Sequence, residues 1–140
     1  MNNLTINCDG GSRGNPGPAA CAFVVSNDEV VIYKQSKFLG VTTNNDAEYS
    51  AVVLALNWFL KYKFLSKISH IKFILDSELV VRQIRGIYKI KNLKLRNHYL
   101  NIKSIINSVG VEVEFQNVER QKNKLADRLV NEELDRNEIA

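Results

Sequence analysis

Two segments far apart in the chain, Leu4-Thr5-Ile6-Asn7-Cys8-Asp9 and Ile71-Lys72-Phe73-Ile74-Leu75-Asp76, are rich in apolar residues and then stop on an aspartate before a turn. Both read as strands, the first by clean alternation of apolar and polar residues. If the two strands lie side by side and parallel, both carboxylates emerge at one edge. That edge, beyond the strand carboxyl ends, is where open α/β sheets place ligands. The rest of the chain has to be compatible with this pairing.

It is. Gly10 to Pro18 is dense turn chemistry, so a break is expected there. Ala20 to Ser26 and Val30 to Phe38 read as two further strands joined by a turn at Asn27-Asp28, which completes an antiparallel three-strand meander. Thr43-Asn44-Asn45-Asp46 offers helix caps, and Ala47 to Lys63 carries Ala47, Ala51, Leu54, Ala55 and Trp58 on one helical face. After the strand ending at Asp76, Ser77 can cap a short helix through Ile84 that Gly86 ends. A loop through Lys91-Asn92 leads to a helix over 94–108 with Leu95, Tyr99, Ile102 and Ile106 in one stripe. Val111 to Phe115 alternates as a fifth strand, and Lys122 to Arg136 is a final amphipathic helix. The order β-β-β-α-β-α-α-β-α predicts an α/β fold, a five-stranded mixed sheet flanked by helices. With no repeat or linker, residues 1–140 read as one domain.

Composition narrows the function class. No apolar run approaches the roughly 20 residues of a membrane helix, so no membrane partner is expected. Met1 to Asn7 has neither a basic nor a long apolar region, so a cytoplasmic location is expected. Cys8 and Cys21 make no disulfide framework or zinc motif and are expected to be buried free thiols. Charge is distributed unevenly. Residues 1–60 carry a balance of −2, residues 61–103 of +9 and residues 104–140 of −3. A cationic middle third suits a polyanion-binding face, although a solvated lysine-rich helix would look the same.

Four acids stand where packing alone would not ask for them. Asp9 and Asp76 close their strands, Glu48 lies in the first turn of its helix, and Asp127 follows Leu125-Ala126 among partly apolar helical neighbours. Singly, each could be a cap or a solvated charge. Together their surroundings form a pattern: Asp9-Gly10-Gly11-Ser12 with Gly14-Asn15-Pro16-Gly17, Thr42-Thr43-Asn44-Asn45-x-Ala47-Glu48, Leu75-Asp76-Ser77, and Asn123-x-x-Ala126-Asp127. These four segments resemble, in order and spacing, the catalytic segments of type 1 ribonuclease H, and they span nearly the whole chain.

The resemblance implies a ribonuclease H-like fold and a monomeric endoribonuclease that cuts the RNA strand of RNA–DNA hybrids, leaving 5′-phosphate and 3′-hydroxyl ends. Double-stranded RNA is a further substrate to consider, and a catalytically weak member that binds or cuts hybrid or double-stranded RNA is the alternative. Two Mg²⁺ or Mn²⁺ ions are implied, because hard cations a few ångströms apart can activate water and stabilise the leaving oxygen. Asp9 would bridge both ions. Asp76 and Asp127 would hold the ion on the nucleophile side, and Glu48 the leaving-side ion and a substrate 2′-hydroxyl. Gly10, Gly11, Ser12, Asn15, Asn44 and Asn45 would meet the substrate, the glycines through backbone that no Cβ shields; turn and cap chemistry is the plainer role of the asparagines.

The chain departs from the longer members in three places. They carry a histidine in the loop before the last helix, whereas here that loop reads Val118-Glu119-Arg120-Gln121-Lys122-Asn123, and neither His70 nor His98 is in place. Arg120 is the nearest substitute; it stays protonated and can attract phosphate but cannot act as a base. Such a loop is similar to the short branch of archaea and some bacteria. The basic protrusion is missing too. Residues 82–103 carry seven Lys or Arg and no acid, so Lys89 and Lys91, with Lys94 nearby and Tyr88 to stack, are expected to grip the DNA strand. Glu78 stands where a substrate-contacting glutamine is common, and reads as a satellite metal ligand or a charge at its helix N-terminus.

Overall fold

The computed structural model describes residues 3–62 and 67–138. Its elements are β1 (Asn3–Ser12), β2 (Gly17–Asn27), β3 (Val30–Thr42), α1 (Asn44–Tyr62), β4 (His70–Leu75), α2 (Glu78–Ile84), α3 (Leu93–Val109), β5 (Glu112–Asn117) and α4 (Lys124–Arg136), with a 3₁₀ turn at Arg120–Lys122. The order is the predicted one. The five strands form one mixed sheet, β3-β2-β1-β4-β5, with β1 antiparallel to β2 and parallel to β4. β2–β3 is antiparallel and β4–β5 parallel.

The two faces of the sheet are covered unequally. Ile6, Cys8, Cys21, Phe23, Val25, Ile71, Phe73 and Leu75 pack under α1, α2 and α3 in the larger core. Ala20, Ala22 and Val24 meet Ala126, Leu129, Val130 and Leu134 of α4 on the opposite face. β2 is therefore buried on both sides, which is why Ala19 to Val25 is a continuous apolar run rather than an alternation. Cys8 and Cys21 are free and buried, as expected; burial pushes the Cys21 thiol up to about 12.

Local differences have local causes. The β2–β3 hairpin turns at Asp28-Glu29, one residue later than expected, and Asn27 still pairs with Val30. Both turn residues have positive φ, 50° and 66°, the geometry that matches the twist of a two-residue hairpin. The buried face of α1 is wider than the expected stripe. Tyr49, Val52, Leu56 and Phe59 join Ala47, Ala51 and Ala55, while Leu54 and Trp58 are only half-buried, because α1 packs on the sheet and α3 together. The expected end of α1 at Lys63 lies outside the described residues. Ser77 does cap α2, accepting from the Val80 amide at 3.3 Å. Among the described residues no helix is long and apolar enough to cross a membrane.

Candidate active site

Asp9 does not end its strand. The parallel pairing of β1 with β4 stops at Asn7↔Ile74, but β1 keeps its antiparallel partner through Ser12↔Ala19. The segment Gly10-Gly11-Ser12 is thus strand, and the turn begins only at Arg13. Asp9 sits where β1 still has one neighbour and has lost the other. Asp76 lies one residue beyond the end of β4. The cleft between the diverging strands is closed by the start of α1, which begins at Asn44 rather than at the expected Ala47 and brings in Glu48 just past its first turn.

Gly10 permits that approach. A Cβ at this position would collide with the backbone of Ala47 and Glu48, so only glycine lets α1 lie this close to β1. The Gly10 amide donates to Glu48 Oε1 at 3.3 Å. Gly10 is consequently buried with its amide committed to Glu48, while Gly11 is the more open of the two glycines.

Asp9, Glu48 and Asp76 each offer a carboxylate oxygen, and the three oxygens lie within 4.8 Å of one another. Glu48 Oε2 and Asp76 Oδ2 are buried without a hydrogen-bond partner. Burial, then the Asp76 charge, pushes Asp9 up to about 7. Burial followed by Asp9 and Asp76 raises Glu48 well above its ordinary range. Asp76 is raised by burial, against the opposing pull of Arg120 and a hydrogen bond from Asn123. Like charges this close cannot all ionise without a compensating cation. Asp127, in the first turn of α4, is not one of the three, but its nearby carboxylate raises Asp9 further. Arg120 Nε stands 4.0 Å from Asp127 Oδ1 with its side chain 78% exposed. An open cavity of about 290 Å³ is bordered by Asp9, Glu48, Asp127, Arg120, Asn44 and Asn45.

Asparagines brace this cavity. The Asn44 carboxamide oxygen accepts from Ser12 N at 2.8 Å and Ser12 Oγ at 3.1 Å, and the Asn44 amide donates to Asn15 Oδ1 at 3.0 Å. The cap of α1 is Thr43, whose Oγ1 accepts from the Asp46 amide at 3.2 Å, while the Asn44 side chain braces the cavity rim. Asn45 makes no side-chain hydrogen bond among the described residues. Sequence reasoning passed over Asn123 except as a motif position. It is 1% exposed and donates to the Cys8 carbonyl at 2.8 Å while accepting from Asn7 Nδ2 at 3.0 Å. It joins the start of α4 to β1 beside Asp9 and partly opposes the burial that raises Asp76. The signal available was a polar residue fixed four places before Asp127.

Other expected residues lie elsewhere. Lys89 and Lys91 border a separate cavity of about 790 Å³ with Tyr88, Arg96 and Tyr99, not the carboxylate cleft. Lys94 turns away to Asp46, Nζ to Oδ2 3.2 Å, and to Thr42 Oγ1 at 3.2 Å. Glu78 pairs with Arg82 one turn on, at 3.0 Å. Of the two histidines, His70 faces Glu114 and His98 faces Asp46. Asp46 itself, read as part of a cap, is 5% exposed and also accepts from Thr42 Oγ1 at 2.8 Å. Burial alone would raise it, but hydrogen bonds from Thr42, His98 and Lys94 hold it below its ordinary value.

A sheet of this order, with carboxylates gathered where two parallel strands part, is the ribonuclease H-like arrangement. A family model described as "Reverse transcriptase-like" matches residues 7–133. The chain is 30% identical to a Ribonuclease H of Helicobacter acinonychis, over 89% of this chain and 88% of that protein. It is 33% identical to a protein of Mycobacterium tuberculosis named as bifunctional, over 94% of this chain but only 35% of that protein. The chain thus spans about a third of the mycobacterial relatives it matches. Among solved structures, a ribonuclease H1 called LC11, in complex with an RNA/DNA hybrid, superposes with a TM-score of 0.90 at 36% identity, covering 95% of this chain and 97% of that one. The chain belongs to the type 1 ribonuclease H family.

Proposed function

We propose that this protein is a divalent-metal-dependent endoribonuclease that hydrolyses the RNA strand of RNA–DNA hybrids, leaving 5′-phosphate and 3′-hydroxyl ends. One observation carries the reading: three converging carboxylates, two with buried oxygens that no protein group satisfies. The donor set fits Mg²⁺ or Mn²⁺, being all oxygen, mutually close, and destabilised until positive charge arrives. Asp9 would be shared between two ions, Asp76 and Asp127 would hold one, and Glu48 the other. When bound, the ions supply a nucleophilic water and stabilise the leaving oxygen.

The chain's own residues do the remainder. Gly10 keeps Glu48 against Asp9, and Asn123 partly offsets the burial that raises Asp76. Asn15 and Asn44 fix the rim, leaving Asn45 and the Asn44 carboxamide nitrogen to read the 2′-hydroxyl that separates RNA from DNA. Arg120 presents a permanent cation to the scissile phosphate without exchanging a proton. The Lys89–Lys91 loop, with Tyr88 and Arg96, takes the DNA strand on a surface apart from the cleft. On this reading the domain works as a monomer in the cytoplasm. Double-stranded RNA is the substrate to set against the hybrid.

The test uses labelled hybrid, double-stranded RNA and double-stranded DNA, each with Mg²⁺, Mn²⁺ or chelator. Hybrid is expected to be cut in the RNA strand with either metal and to survive in chelator. Cleavage in chelator, or no cleavage of hybrid with either metal, overturns the proposal.

A further inference from the structure

Six polar or charged side chains are buried among the described residues: Asp9, Glu48, Asn123, Thr42, Asp46 and Gln83. The first three build the carboxylate cleft. The other three belong to a different network. Burying such groups is costly unless they are paired, and this second set, unlike the first, leaves none of its buried side-chain atoms without a partner.

The network runs from α1 to the basic loop. Asp46 Oδ1 lies 2.7 Å from His98 Nε2 on α3. The His98 ring lies parallel to that of Tyr49, with 6.0 Å between centroids and 10° between planes. Tyr49 Oη donates to Gln83 Oε1 on α2 at 2.9 Å, and Gln83 Nε2 donates to the Lys89 carbonyl at 3.3 Å. Tyr49 follows Glu48 directly, and Asp46 follows Asn45. One end of the network is therefore the helical turn that carries the cleft, and the other is the backbone of the loop that carries Lys89 and Lys91.

That loop is anchored at its far end by Ile90, which packs against the core, and Arg82 stands 5.5 Å over the Tyr88 ring, but its polar anchors are few. Ile87 and Tyr88 are 52% and 44% exposed. The amides of Ile87 and Tyr88 return to the Arg82 carbonyl at the end of α2. Among the described residues, Gln83 makes the one side-chain hydrogen bond to the backbone of 87–91.

We infer that Tyr49 and Gln83, braced by the Asp46–His98 pair, are positioning residues that hold the Lys89–Lys91 loop at a set distance from the carboxylate cleft, so that the phosphate gripped there is in register with the bond cut. This inference rests on the proposed hybrid cleavage. The network touches neither the reacting atoms nor the ions. Its effect falls on hybrid affinity and the salt dependence of binding, and the chemical step is left to the carboxylates. A coupling through intermediate side chains is established only by non-additivity.

The experiment is a double-mutant cycle on hybrid cleavage. Tyr49→Phe removes only the hydroxyl, Gln83→Met removes both hydrogen bonds at similar length, and each is made with and without Lys89→Ala/Lys91→Ala. Tyr49→Phe and Gln83→Met are expected to raise KM about three- to tenfold, the worth of one or two hydrogen bonds, with kcat changed less than twofold and a shallower salt slope. In the Lys89→Ala/Lys91→Ala background the same substitutions should leave KM within about twofold, because the loop no longer holds phosphate. Equal KM factors in both backgrounds, or a fall in kcat with KM unchanged, overturns the inference. Should Gln83→Met fail to fold, the Tyr49→Phe arm of the cycle decides it. Failure of the wild-type protein to cut hybrid would instead strike at the proposed function, so the two failures are distinct.

Discussion

Asp46 and Glu48 lie two residues apart near the start of α1 and are almost equally closed to solvent, at 5% and 6% exposed. Their electrostatic fates are opposite. Asp46 faces α3, where Lys94 and His98 meet it, and its carboxyl is held below the ordinary value. Glu48 faces β1 and β4, where its neighbours are Asp9 and Asp76, and it is raised. Asp46 has its cations built into the chain. Glu48 sits in a cluster of three acids with orphaned oxygens, and the missing positive charge has to come from solution. Burial alone does not mark a functional acid; what the fold places opposite it does.

The sharpest way to break this contrast is Asp9→Asn. Loss of a direct metal ligand should cut single-turnover cleavage by more than about a hundredfold, the upper end of what outer-shell partners cost. The same change should stabilise the metal-free protein near neutral pH. The sign follows from linkage: with a folded pKa raised from 3.8 to about 7, folded Asp9 binds more protons than unfolded Asp9 across that window. The Asp9 contribution to metal-free stability is then greatest below the unfolded value and is lost as pH rises through the folded one. Thermal melts in chelator across this range, repeated with Mg²⁺, should show the decline and its reversal. An Asp9→Asn protein that melts below wild type in chelator at neutral pH would contradict the repulsion account.

Asp46→Ala should do the reverse, costing about 1–3 kcal/mol of stability for lost hydrogen bonds to a charged group while leaving the neutral-pH decline in place. Because the folded pKa of Asp46 is lowered, its contribution is present above the unfolded value and fades as acid is added. Chemical denaturation of the variant at two pH values measures both. Arg120→Ala is the smallest expected effect. A side chain 78% exposed, with its cation 4.0 Å from Asp127, acts through solvent, so turnover should slow by about tenfold at most. Asp127→Asn should cost more. Between about pH 7 and 9.5 no falling limb should trace to Arg120, since guanidinium does not titrate there. Full activity in the alanine variant would remove Arg120 from the reaction.

Periodicity and turn chemistry are local, so the sequence alone determined the element order, the mixed sheet and the two strands that carry Asp9 and Asp76. The four motif segments also named Glu48 and Asp127, because each is tied to a glycine, asparagine or alanine at fixed spacing. Tertiary structure decided what those residues face. Asp9 looked like a strand end because Gly10-Gly11 reads as turn; only the β2 pairing shows the strand continuing, and only the contact with Ala47 gives the reason for Gly10. Lys94 read as one more surface lysine of a basic stretch, and Asp46 as one more cap. Their ion pair joins residues 48 positions apart in the chain, through the packing of α3 on α1. Charge type is written in the residue, but the sign of a pKa shift depends on neighbours that the fold alone supplies.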